Sequence, residues 1–252
     1  MGWKKIVKSA LAKRGLEIVA RAEGPSPTYD QDGLRTIHNA DFLQDADFVA
    51  SYARGIEAAE ADYSFHWRVH VGLWAASVAV KLEGDFVECG VNRGFLSSAI
   101  MKSLDWNRRG KQFWLLDTFA GIDSRFVTDE ERDAGILERN EGEFYVGGVD
   151  VVRENFSEWE RVRIVVGAVP ESLVEVDCNQ VAYLHLDMNC APPEVAAFEF
   201  FWPKMVTGGI VLLDDYAYRG YESQKRAMDT VAGRAEVKIL SLPTGQGIIV
   251  KS

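Results

Sequence analysis

Cysteine is scarce in this chain. The three that occur among 252 residues, Cys89, Cys178 and Cys190, have no metal-like spacing and make an odd set. That excludes a disulfide-stapled scaffold and a thiolate zinc site, and points to a reduced, cytoplasmic chain. Cys89 lies inside an apolar run and is expected to be a packed thiol. Long apolar stretches are also missing, so a transmembrane segment is not expected. Basic charge is in deficit: the net charge is −10. A protein that binds nucleic acid through its phosphates needs basic surface, so nucleic acid is excluded as a non-specific partner, whereas a small anion in a locally polarised pocket is not. The exception is the first 20 residues, where Trp3, Ile6, Val7, Leu11, Leu16, Ile18 and Val19 alternate with Lys4, Lys5, Lys8, Lys13 and Arg14. This reads as a basic amphipathic helix for packing, for a homodimer contact or for a membrane surface, and it lacks the continuous apolar core of a signal peptide.

What is present is ordinary for a globular protein: 47% hydrophobic and 26% charged residues. Gly24-Pro25-Ser26-Pro27 ends the first helix and starts a loop. Residues 41–62 read as a helix with an acidic, solvated face (Asp41, Asp45, Asp47, Glu57, Glu60, Asp62), and residues 66–82 as an apolar helix. From residue 84 strands and helices alternate. Strands are expected at 84–90, 112–117, 162–167, 181–187 and 208–215, with helices at 94–105, 149–159, 193–202 and 221–233. Two further strands, 236–242 and 246–251, flank the turn Pro243-Thr244-Gly245. The expected fold is α/β: a seven-stranded, mainly parallel sheet with an antiparallel last strand and helices on both faces. Residues 1–60 form a helical extension, and 61–252 the main domain. The polar stretch 120–147 is an insertion after a strand tip, either a lid or a disordered loop.

Carboxylates mark the strand tips. Gly208-Gly209-Ile210-Val211-Leu212-Leu213 ends in Asp214-Asp215, and Val181-Ala182-Tyr183-Leu184-His185-Leu186 ends in Asp187. Ligands of open parallel sheets bind beyond these tips, and three oxygen donors there suit a hard divalent cation such as Mg²⁺. Helix capping by Asp214 or Asp215 is the competing reading. The first strand leads into Glu88-Cys89-Gly90-Val91-Asn92-Arg93-Gly94. This G-x-x-x-G turn departs from the G-x-G-x-x-G of dinucleotide binders. The acid at Glu88 suits a cationic group such as the amine of a methionine moiety; a plain tight turn is the alternative. Asp117-Thr118-Phe119-Ala120-Gly121 follows the second strand, where an acid is expected to hold ribose hydroxyls.

Taken in order, E-x-G-x-x-x-G, D-T-F-x-G, L-x-L-D and G-G-x-V-L-L-D-D-Y resemble the class I methyltransferases that use S-adenosyl-L-methionine. More narrowly they resemble the macrocin O-methyltransferase (TylF) family of metal-dependent sugar methyltransferases. The resemblance covers residues 60–230. It implies a Rossmann-like fold, and methyl transfer to a hydroxyl of a sugar, glycosylated natural product or polysaccharide. Glu88, Gly90 and Val91 would line the methionine moiety, with Gly94 shaping the turn. Asp117, Thr118, Phe119 and Gly121 would surround the ribose, and Gly167, Ala168 and Val149 the adenine. Tyr63 and Ser64 would close over the cofactor, and Asp187, Asp214 and Asp215 would bind Mg²⁺. The family's D-G-D reads Asp187-Met188-Asn189 here. Asn189 does not accept a proton, though it can orient a hydroxyl. His185, on the same strand face as Asp187, is a second catalytic candidate, with a buried hydrogen-bonded ring as the alternative. His66 and His70, at i, i+4, are read as packing residues, and Arg93 and Arg219 as substrate or surface arginines. A nucleotide-dependent oxidoreductase and a non-catalytic cofactor-binding module are the other functions compatible with this pattern.

Overall fold

A computed structural model describes residues 25–139 and 148–252. The basic segment 1–20 and residues 140–147 of the insertion lie outside the described residues. The chain opens with an antiparallel hairpin, β1 (Tyr29–Gln31) and β2 (Leu34–Thr36). Helices α1 (Ala46–Ala59) and α2 (His66–Ala79) follow. The main sheet is then built from β3 (Asp85–Cys89), β4 (Phe113–Asp117), β5 (Val162–Val166), β6 (Val181–Leu186), β7 (Met205–Leu213), β8 (Leu240–Ser241) and β9 (Gly247–Val250). Its strand order is β5-β4-β3-β6-β7-β9-β8. The five strands from β5 to β7 are parallel, and β9 runs antiparallel to both β7 and β8. This is the seven-stranded, mainly parallel sheet expected from the sequence.

Strand order reverses between β3 and β6, which leaves a crevice at their C-terminal ends. All six positions of β6 are buried, as a parallel strand covered on both faces requires. Side-chain alternation splits the core in two. Phe86, Leu115, Tyr183 and Leu212 face α2 and α3 (Phe95–Leu104). Val87, Cys89, Leu116, Leu184 and Leu186 face Phe198 and Phe201 of α7 (Ala191–Phe201), numbered after the short helices described below.

Four sequence readings are corrected. The hairpin at 29–36 replaces the loop expected inside a helical extension. Asp32-Gly33 makes its turn, with both residues in the left-handed region (φ 49° and 71°). The acids of 41–62 are only partly a solvated face: Asp45 caps α1 by accepting from the Asp47 and Phe48 amides at 3.0 and 2.9 Å, and Asp62 accepts from the Tyr52 hydroxyl at 2.7 Å. The described part of the insertion is helical, with α4 (Asp129–Asp133), α5 (Ile136–Arg139) and then α6 (Asp150–Asn155) beyond it. Buried Glu131 closes a capping box with Thr128 and accepts from the Ala191 amide at 2.6 Å, which anchors the insertion to the start of α7. The strand expected over 236–242 shrinks to Leu240–Ser241. After α8 (Glu222–Arg234) the chain leaves the helix through Glu236 (φ 57°), and the Val237 amide bonds back to the Ala232 carbonyl, which keeps these groups from the ladder.

Candidate functional site

The crevice holds two cavities that share Gly90, Asp117, Asp187 and Asn189. The smaller, about 500 Å³ including its open mouth, is lined by Thr118, Gly121, Gly167 and Ala168 among others. The larger, about 1230 Å³ including its open mouth, is lined by Tyr63, Arg68, Glu88, Val91, Asp214 and Asp215 among others. Nine residues expected at a cofactor thus meet at one place, from four segments far apart in the chain. The other four do not reach either cavity. The Ser64 carbonyl accepts from the Tyr29 hydroxyl, Gly94 is packed against Phe156, Phe119 is buried, and Val149 packs against the core before α6. The described insertion contributes Asp123 and Phe126 to the smaller cavity.

Register explains the polar centre. Glu88 and His185 are neighbours across the β3–β6 ladder and share a face. His185 Nδ1 lies 2.9 Å from Glu88 Oε1, and both side chains are buried. His185 Nε2 has no hydrogen-bond partner and sits 3.7 Å from Asp214 Oδ1. Burial opposes protonation of this ring, but the contacts to Asp214 and Glu88 outweigh it and push the imidazole up to about 10.

Arg68, from α2, was not visible in the sequence as a site residue. Its Nη2 donates to Asp214 Oδ2 at 2.5 Å and to Asp215 Oδ1 at 2.7 Å, and its guanidinium lies 5.1 Å from the centre of the Tyr218 ring. Gln246 Nε2 donates to Asp214 Oδ1 at 2.9 Å. Burial would raise the Asp214 carboxyl, but Arg68 and His185 hold it well below the usual range; burial, helped by Asp214, pushes Asp215 up to about 6. Asp187 is pushed well up by burial and by its two acidic neighbours.

The donor set fits a divalent cation. His185, Asp187 and Asp214 each offer a ligand atom, all within 4.8 Å of one another, whereas Asp215 turns to Arg68. The unpartnered Nε2 of His185 points to the same group. At the first turn, Asp117 Oδ2 accepts from the Val91 and Asn92 amides at 2.6 and 2.8 Å, and Oδ1 from the Phe119 amide at 2.7 Å. Asp117 therefore shapes the loop whose glycine borders both cavities.

Several weighed residues lie elsewhere. His66 stacks on Tyr52 with ring centres 4.2 Å apart and His70 on Phe42 at 4.0 Å, so both belong to an aromatic cluster. Arg93 lines the larger cavity and pairs with Glu60, while Arg219 is exposed and lines neither. Sequence reasoning missed Asp32, Tyr218, Tyr221 and Gln246 as well as Arg68, all on the larger cavity. The Asp-Gly turn at 32–33 was the one signal that could have exposed Asp32.

Glu194, buried in the first turn of α7, carries a pH prediction. Its Oε1 accepts from the Met188 amide at 3.2 Å and from Gln224 Nε2 at 2.7 Å. Burial first, then Asp215, pushes it up to about 8 despite these donors. The folded protein thus keeps a proton that the unfolded chain releases. This contribution is full below the unfolded value, about 4.5, and is lost as pH rises towards about 8. Glu194→Gln is expected to match the parent's melting temperature near about pH 5 and to exceed it by several degrees near about pH 8.5. Melting curves that stay parallel across this range would count against it.

Comparison with known proteins bears on the site. A model of the macrocin-O-methyltransferase (TylF) family matches residues 73–237. The chain is 31% identical over 153 residues to 8-demethyl-8-(2,3-dimethoxy-alpha-L-rhamnosyl)-tetracenomycin-C 4'-O-methyltransferase of Streptomyces olivaceus, covering 56% of each chain. It is 27% identical over 143 residues to demethyldecarbamoylnovobiocin O-methyltransferase of Streptomyces niveus, covering 54% of each. The chain therefore matches about half the length of these curated relatives. Among solved structures, the O-methyltransferase NovP superposes with a TM-score of 0.68 at 18% identity, covering 85% of this chain and 100% of that one. The calicheamicin methyltransferase CalS11 superposes with a TM-score of 0.57 at 18% identity, covering 90% of this chain and 99% of that one. At these identities the likeness establishes the fold.

Proposed function

The chain belongs to the macrocin-O-methyltransferase (TylF) family, and on that premise we propose that it transfers a methyl group from S-adenosyl-L-methionine to a hydroxyl of a sugar or glycosylated natural product. The compounds in the relatives' names, a rhamnosyl tetracenomycin and demethyldecarbamoylnovobiocin, support that acceptor class. The carrying observation is the convergence of Glu88, Gly90 and Asp117 with Asp187 and Asp214 at one crevice. In-line transfer needs donor and acceptor held together, and two cavities meeting at Asp187 and Asn189 suit that need.

We assign the cofactor to the side of Gly90, Asp117, Thr118, Gly121, Gly167 and Ala168. The acceptor belongs on the side of Asp187, Asp214, Tyr218 and Asp32. Mg²⁺ held by Asp187 and Asp214, with Asp215 or His185, would make a bound hydroxyl more acidic. Asn189 lines both cavities, and its amide suits orienting the acceptor hydroxyl. His185 Nδ1 is held against Glu88, which leaves Nε2 on the side of Asp214. We divide the chain into an extension, 1–60, and a transfer domain, 61–252; among the described residues of the extension, Asp32 reaches the larger cavity, which supports a role for it on the acceptor side. A homodimer is part of the same reading, and light scattering that gives a monomer's mass would remove it. No helix among the described residues is long and apolar enough to cross a membrane. Three buried free cysteines support a cytoplasmic setting.

Titration calorimetry with S-adenosylhomocysteine tests the reading directly. Saturable one-site binding is expected with or without added Mg²⁺. Absence of binding under both conditions would sink the proposal.

A further inference from the structure

The cation expected at the carboxylates already has a substitute in the chain. Arg68 Nη2 bridges Asp214 and Asp215 at 2.5 and 2.7 Å, with its side chain only 14% exposed. The same nitrogen also donates to the Asp214 backbone carbonyl at 2.9 Å. We propose that Arg68 is the resident counter-ion of this pair, and that a divalent cation enters by displacing its guanidinium, so that Arg68 sets the cation affinity of the site. This rests on the methyltransferase reading above, in which these carboxylates hold the cation.

Three observations support displacement over permanent occupancy. First, Asp214 Oδ2 is engaged by Arg68 and Oδ1 by Gln246, so a cation approaching Asp214 must share or take an oxygen that Arg68 holds. Second, His185 Nε2 is buried without a hydrogen bond, 3.7 Å from Asp214 Oδ1, and His185, Asp187 and Asp214 bring ligand atoms within 4.8 Å of one another. Arg68 does not satisfy that nitrogen, since its Nη2 turns to Asp214 and Asp215. Third, Arg68 has a second place to go. Asp32, at the hairpin turn, lines the same cavity and interacts electrostatically with Arg68, and the Tyr218 ring lies beside the guanidinium at 5.1 Å. A swing towards Asp32 keeps the charge paired and keeps a ring face against it. Two like charges competing for one carboxylate pair in a partly buried site repel strongly, so removing the resident one should strengthen binding of the other.

The test is Mn²⁺ binding to the full chain, followed by electron paramagnetic resonance. Arg68→Met is expected to bind Mn²⁺ at least about tenfold more tightly than the parent, with Arg68→Lys in between. Asp32→Asn should weaken Mn²⁺ binding in the parent and leave the Arg68→Met variant unaffected. Equal or weaker binding by Arg68→Met would overturn the proposal, as would failure of both proteins to take up Mn²⁺. Should Arg68→Met not fold, crystals of the parent soaked with Mn²⁺ decide. Arg68 moved off the two carboxylates supports displacement; Mn²⁺ bound with Arg68 still on both refutes it. S-adenosylhomocysteine binding, measured separately without metal, reports on the methyltransferase reading alone, so the two ideas fail independently.

Discussion

Replacing Asp187 with Asn is expected to lower methyl-transfer turnover by about 10²–10³-fold while leaving the fold at least as stable as the parent. The two halves of this expectation have different causes. Asp187 stands where the two cavities meet and supplies one atom of the candidate cation group. An amide of the same shape keeps an oxygen there but loses the charge, and with it the electrostatic stabilisation of the reacting oxygen. Stability behaves in the opposite sense. Burial, then Asp214 and Asp215, pushes the Asp187 carboxyl well up, so without a bound cation the neutral form is favoured. Asn imitates that neutral form, so no third negative charge has to be balanced beside Asp214 and Asp215. Steady-state turnover with a hydroxylated acceptor, paired with thermal melting in the absence of metal, checks both halves. Wild-type turnover in Asp187→Asn would remove Asp187 from the mechanism. A large fall in melting temperature would show that the carboxylate is structural instead.

The parts of the site legible in the sequence are those that a parallel sheet places by itself. Strands buried on both faces read as apolar runs, and their ends are the crevice, so Glu88, Asp117, Asp187, Asp214 and Asp215 can be ordered around a ligand from the sequence alone. Arg68 had no such signal. It reaches Asp214 across 146 residues of chain, from the first turn of an apolar helix where an arginine reads as a surface residue. Gln246 was hidden in the same way, inside a Thr-Gly-Gln-Gly turn that reads only as a hairpin connection. The partners of His185 depend on register, which periodicity does not give: only the pairing of β3 with β6 brings Glu88 alongside it. The hairpin at 29–36 failed for a different reason. Its strands of three residues carry too few apolar positions to show an alternation, and only the Asp-Gly turn marks it. The residues missed are thus those on the larger cavity, where long-range packing rather than local pattern sets position.

Ala at position 90 is expected to cost at least about 4 kcal/mol and to lower the melting temperature by about 10 °C or more. Gly90 follows β3 with φ 91°, a conformation that costs an L-residue about 1–2 kcal/mol. The larger cost is steric. A Cβ there would lie 1.8 Å from the Asp187 carbonyl oxygen and 2.4 Å from its carbon, both backbone atoms. Neither side is free to yield. The Gly90 amide is bonded to the Leu116 carbonyl at 2.9 Å, and the Asp187 amide to the Cys89 carbonyl at 2.9 Å, so the tips of β4, β3 and β6 are tied together at this point. The clash would open the crevice at its centre, so cofactor binding should fall with stability. Gly33 separates the two causes. It too has positive φ, 71°, but a Cβ added there would meet nothing within 4 Å, so Gly33→Ala should show the conformational cost alone, about 1 kcal/mol. Circular-dichroism melts of the two variants therefore measure the steric contribution by difference. Similar small shifts for both would mean that the Gly90 turn relaxes around a methyl group, and that a side chain at the cofactor loop is tolerated.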